Sequence, residues 1–203
     1  MTSKDIRFRP VAPEEQLAEP LLARLHGDWL GAAQDSLPGL AFIDPLCLRY
    51  LLGSLLVMEV VRDHHGQRRY RYRLIGTAIV ARRGRDRTGT WLHQHDEALF
   101  AEQAVMACDA AIEQRQPIYA TLQRRLQRRF YPVTYLLLPL VDEGGVVARI
   151  LAAQLYPANA PVAPYAIFED DVPARPAKVA SPARPQVFDP AHLRDLLGKL
   201  GKS

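Results

Sequence analysis

Along the chain, apolar residues recur first at helical spacing and then in short alternating runs. Leu21, Leu22, Leu25 and Trp29 follow Pro20 at helical spacing, and Pro is well placed at a first helical position. They predict an N-terminal amphipathic helix. A second short helix is expected from Asp44-Pro45, with Asp44 as its N-cap. Residues 55–61 form a branched apolar run that reads as a buried strand. Asp63-His64-His65-Gly66-Gln67 supplies turn chemistry, and residues 70–75 return as a second strand. Plain alternation places Tyr70, Tyr72 and Leu74 on one face of that strand, and Arg71, Arg73 and Ile75 on the other.

Gly76 lets the backbone turn out of this strand, and residues 78–83 predict a short helix stopped by Gly84. A longer helix is expected from Asp96, as N-cap, to about residue 115. Leu99, Met106 and Ala110, with Phe100 and Ile112 nearby, would pack it on a sheet. Three strands follow, at 117–124, 129–141 and 146–156. Pro132 demands an edge or a bulge in the second, and Asp142-Glu-Gly-Gly145 makes the hairpin between the last two. The expected architecture is α+β: a five-stranded antiparallel sheet with helices packed on one side.

The chain divides by composition into four parts. Residues 1–18 read as a loose lead-in, 19–156 as one domain that includes the N-terminal helix, and 157–187 as a proline- and alanine-rich linker. Residues 188–203 predict a short amphipathic tail helix with Leu193, Leu196, Leu197 and Leu200 on one stripe. So short a helix is marginal alone in water and needs a surface to dock on, in its own domain or in a partner.

Four stretches carry a resemblance: Phe42-Ile-Asp-Pro45 through Val60, Arg71-Tyr-Arg-Leu-Ile-Gly-Thr77, Gly84-Arg-Asp-Arg-Thr-Gly89 and Leu137-Leu-Pro-Leu140. Together they resemble the single-domain PAS family of alphaproteobacteria, formerly a domain of unknown function. The likeness spans roughly residues 19–156, and Arg87 departs from it where an apolar residue is usual. It implies a signalling module that binds a small ligand between sheet and helices, or a protein through the sheet. It implies no catalytic residue and no cofactor.

Composition alters this picture little. At 203 residues, 48% apolar and 24% charged, the chain is long enough to bury a core without staples. Cys47 and Cys108 read as buried reduced thiols. No apolar run approaches the length of a membrane span, and no signal peptide is visible, so the expectation is a cytoplasmic protein. The net charge of +4 sets 26 basic residues, 22 of them arginine and four lysine, against 22 acidic ones. Nine of these arginines crowd residues 62–87, with Tyr70 and Tyr72 among them. Such a mixture can hold single-stranded nucleic acid, yet a solvated sheet face explains it more simply.

Candidate chemistry is sparse. His93-Gln-His95-Asp96 is the one metal-like cluster, and it reads better as a loop entering a helix, so no metal is expected. No histidine falls in an apolar helix stripe where haem iron would need it, and neither cysteine has the polar neighbours of a flavin site. Hydrolase and phosphate-loop motifs are missing, so an enzyme is not expected. The expected site is a cavity between sheet and helices lined by Tyr72, Leu74, Thr77, Met106, Tyr119 and Tyr135, with Thr77 the leading polar candidate. The expected partner is a signalling protein or a second copy of the chain. It would be met through Leu21, Leu25 and Trp29 or through the tail leucines, with nucleic acid the disfavoured alternative.

Overall fold

The computed structural model describes residues 7–33, 36–95, 97–126 and 128–162. The tail leucines Leu193, Leu196, Leu197 and Leu200, and most of the proline-rich stretch, lie outside them. Six strands form one antiparallel sheet: β1 (Arg7–Pro10), β2 (Leu55–Arg62), β3 (Arg68–Ile75), β4 (Ile118–Leu126), β5 (Arg129–Val141) and β6 (Val147–Leu155). Their order is β1-β4-β5-β6-β2-β3. Without β1 it is the PAS-like arrangement, in which the first and last strands of the domain lie together at the centre. The sixth strand corrects the lead-in expectation, because Arg7–Pro10 pairs with β4 from Thr121 to Ile118.

Three α-helices accompany the sheet: α1 (Pro20–Ala32), α2 (Thr77–Arg83) and α3 (Ala98–Gln114). Helices α2 and α3 lie on one face, called inner here. Gly84 closes α2 in the left-handed conformation at φ 70°. The second expected helix is instead a run of turns from residue 45 to 51. Asp44 still caps it, accepting from the Leu46 N–H at 2.8 Å. Asp96, the expected cap of α3, lies outside the described residues; the N-cap position is Glu97.

Helix α1 closes the outer face. Its Trp29 indole donates to the Pro139 carbonyl at 3.2 Å, and Glu19 at its start accepts from Tyr119 at 2.9 Å. Leu25 and Trp29 are 0% and 4% exposed, so both are spent on the chain's own core rather than on a partner; Leu21 alone of that stripe points outward. His26 is buried with them, which corrects the expectation that no histidine sits in an apolar helix stripe.

Two prolines in β5 keep the sheet legal. Pairing with β6 stops at Thr134↔Leu155, and pairing with β4 stops at Leu137↔Ile118. Pro132 and Pro139 therefore each sit where one flank of the strand is unpaired, and a missing N–H there breaks no ladder. The edge expected at Pro132 is local, within a strand that is otherwise interior.

Candidate functional site

Pairing register decides which side chains face α3. Ala120 opposes Tyr135, Leu137 opposes Ala152, and Leu56 also opposes Ala152, so these residues share the inner face. Helix α3 crosses them on its small side: Ala104, Ala107, Cys108 and Ala111 are all buried, with Phe100 at the near end. Asp109 anchors the crossing. It accepts from the Tyr70 hydroxyl at 2.5 Å and pairs with Arg68 at 3.1 Å. Between helix and sheet remains a void of about 20 Å³, bounded by Met58, Tyr72, Phe100, Cys108, Leu122 and Tyr135 among others. That is room for about one water, far below the hundreds of Å³ that a drug-sized ligand or ring cofactor occupies.

At one end of this void lies a buried polar cluster. Arg124 projects inward from β4 and is 2% exposed. Its Nη2 lies 3.1 Å from Glu97 Oε1 and 3.2 Å from His95 Nε2, and its guanidinium stacks 3.6 Å from the Phe100 ring centre. Arg83, the last residue of α2, donates from Nη2 to Gln154 Oε1 at 3.0 Å and lies 5.9 Å from the same ring. Seven buried polar atoms of the cluster make no hydrogen bond of good geometry: Nε and Nη1 of both arginines, the hydroxyls of Tyr135 and Tyr156, and Gln154 Nε2, with Tyr156 and Tyr72 close enough to Arg83 to act on its charge. Leaving buried polar atoms unmet costs about 1–3 kcal/mol each, so so many at one spot mark a site organised around something else.

Electrostatics sharpen the point. Burial, followed by the charge of Arg83, pulls the Arg124 guanidinium below its usual pKa. Burial pushes the Tyr135 hydroxyl upward, so it stays a neutral donor. His95 is driven down to about 2, by burial first and then by Arg124, Arg83 and Arg87. Two cations thus meet in a desolvated place, and the carboxylate paired with Arg124 among the described residues is Glu97.

Of the residues expected to line the cavity, Tyr72 and Tyr135 do. Leu74 does not, because a β-bulge between Val57 and Met58 shifts the register: Met58 opposes Tyr72 while Val57 opposes Leu74. Tyr72 therefore faces inward and Leu74 outward, in spite of their even spacing. Thr77 begins α2 and is exposed. Met106 is 43% exposed on the outward side of α3, with Leu99 at 61%. Tyr119 opposes Leu136 and faces α1. Gly76 has an ordinary φ of −64° and serves close approach to Gly53 rather than a turn.

Arg83, Arg124, His95, Gln154 and Tyr156 were not foreseen. Arg124 did leave a signal in the sequence, since it holds the buried phase of a strand whose neighbours in phase are Ile118, Ala120, Leu122 and Leu126. The two loop histidines part company. His93 stays outside beside Arg69 at 2.9 Å, while His95 turns in to Arg124, and no group of three metal-ligating side chains occurs among the described residues. Cys108 is buried as expected. Cys47 is exposed, and Asp44, which accepts its hydrogen bond, holds that thiol protonated.

The arginine-rich quarter is largely occupied internally. Arg68 pairs with Asp109 and Glu113, Arg69 stacks on Trp91 at 4.3 Å, Arg71 donates to the Gly89 carbonyl, and Arg73 lies 3.8 Å from Glu59. No helix among the described residues is long and apolar enough to cross a membrane.

No family model matches the chain, and no curated protein is similar to it. Among solved structures, an RNA-binding light-oxygen-voltage receptor is similar at 15% identity with a TM-score of 0.45, over 75% of this chain and 38% of that one. The likeness thus spans well under two thirds of the receptor's length.

Proposed function

We propose that this chain is a PAS-type sensory or regulatory module that takes a small ligand between α3 and the inner sheet face and signals in trans, without being an enzyme. A kinship with the single-domain PAS proteins of alphaproteobacteria belongs to the same proposal. The observation that carries it is the cluster of poorly bonded buried polar atoms on Arg83, Arg124, Tyr135, Gln154 and Tyr156, set against an apolar void. Ligand sites combine apolar walls with a few convergent polar groups in this way. The output would pass to a signalling protein or to a second copy of the chain, in the cytoplasm, with Leu21 and the tail leucines as candidate contacts.

Native mass spectrometry of the full-length protein tests the ligand directly, backed by thermal melts against a library of small acids, amides and alcohols. A retained mass, or a saturable rise in melting temperature, is the expected result. A bare chain that no library member stabilises would overturn the ligand reading. Salt-dependent capture of oligonucleotides would favour the nucleic-acid alternative.

A further inference from the structure

Resting on that ligand-binding reading, we propose that the ligand is a small monocarboxylate, its acid group held between Arg83 and Arg124 and its short apolar tail lodged in the void behind Tyr72 and Met58. Three features of the site choose this chemistry. The unmet atoms are mostly donors: Nε and Nη1 of two guanidiniums, two tyrosine hydroxyls and one amide nitrogen. A carboxylate accepts several such bonds at once, and the planar arginine fork matches it. Second, Arg83 and Arg124 outnumber Glu97, the carboxylate paired with Arg124, so the charge of the site favours an anion over a neutral molecule. Third, the void of about 20 Å³ is walled by Met58, Ala107, Cys108, Leu122 and Ala152, which accommodates a carbon or two and rejects a polar tail.

Bound there, the acid would quench the repulsion between the guanidiniums and satisfy the Tyr135 and Tyr156 hydroxyls. Because Arg83 ends α2 and Tyr156 directly follows β6, one ligand would add a further tie between two segments already joined at Arg83–Gln154 and at Arg82–Ala160.

The test titrates the full-length protein with formate, acetate, propionate, hexanoate, acetamide and inorganic phosphate, by calorimetry and thermal melts. Affinity should rise from formate to propionate and fall at hexanoate, while acetamide and phosphate bind at least tenfold more weakly. Arg83→Met and Arg124→Met should each lose at least tenfold in propionate affinity. Circular dichroism and unliganded melts check that each variant is folded, since Arg124→Met strands Glu97 and Arg83→Met frees Gln154. Tyr135→Phe, which deletes one hydroxyl and no charge, should lose several-fold and guards against misfolded arginine variants. Acetamide binding as well as acetate, phosphate binding better than the acids, or arginine variants that keep their affinity would each overturn the carboxylate assignment. If a neutral library compound binds instead, the sensory reading survives without it; if nothing binds, both fall.

Discussion

His95 meets a donor at each ring nitrogen: the Glu97 backbone N–H approaches Nδ1 at 3.1 Å, and Arg124 Nη2 lies 3.2 Å from Nε2. A neutral imidazole offers one lone pair, so one contact always lacks its acceptor. Protonation would add a cation beside Arg124, Arg83 and Arg87, relieved by Glu97 alone among the charged groups described around the ring, and the folded pKa falls to about 2. The sign of the linkage follows. Between the unfolded value near 6.5 and the folded one, the unfolded chain takes up a proton that the native state refuses. Stability from this residue is therefore complete above about pH 6.5 and declines with acidification, by up to about 1.4 kcal/mol per pH unit. His95→Gln keeps a polar side chain and removes the titration. Urea midpoints taken from pH 7 to pH 4.5 should fall less steeply for the variant than for the parent protein, with the share due to buried His26, also shifted downward, present in both. Parallel curves would mean that His95 is not held neutral by this site.

At the scale of elements, Gly76 shows how closely the α2 entrance packs on the turn before β2. A Cβ at this position would lie 2.4 Å from the Gly53 carbonyl oxygen and 2.5 Å from that of Leu52, and both are backbone atoms that cannot swing aside. Gly76→Ala should cost about 1–3 kcal/mol, the range of overpacking. Gly31→Ala, in α1 with nothing within 4 Å of its added Cβ, should be neutral or mildly stabilising. Equal denaturation midpoints for the two variants would refute the tight contact. Periodicity made the elements themselves legible, down to the hairpin at Gly145 and the stop at Gly84. It missed what depends on register. One bulge at Val57/Met58 turns Leu74 away from Tyr72, and no count of alternating residues reveals a bulge. In α3 it set Leu99 and Met106 inward together with Phe100, Ala110 and Ile112, and of these five the last three are buried. The helix buries alanines beside them, because small residues let it lie close over the sheet, and leaves Leu99 and Met106 outside. Strand β1 escaped notice because four residues bearing two arginines and a proline show no apolar rhythm.

For the whole molecule, helices pack on both faces of the sheet, α1 outside against β4 and β5 and α2 and α3 inside, and the site on the inner face lies beside the end of β6. The chain leaving β6 is placed to carry a change at the site. Tyr156 contributes a hydroxyl to the cluster, and its ring lies 5.0 Å from the Arg82 guanidinium. Four residues on, the buried Ala160 accepts from Arg82 Nη1 at 2.7 Å, and its own N–H bonds back to Pro157. Arg82 thus fastens the exit segment to α2, one residue before the arginine that enters the site. Arg82→Ala removes the stacking and the hydrogen bond together, a loss of about 1–2 kcal/mol by ordinary magnitudes. Hydrogen exchange on the full-length protein should then quicken by roughly tenfold across residues 157–162, while the amides of β4 and β5 keep their protection. That pattern would make the Arg82 contact the joint through which the inner face communicates with the remainder of the chain. Unchanged exchange over 157–162 would place the joint elsewhere, and faster exchange throughout β4 and β5 would make Arg82 part of the general fold rather than a connection at one end of it.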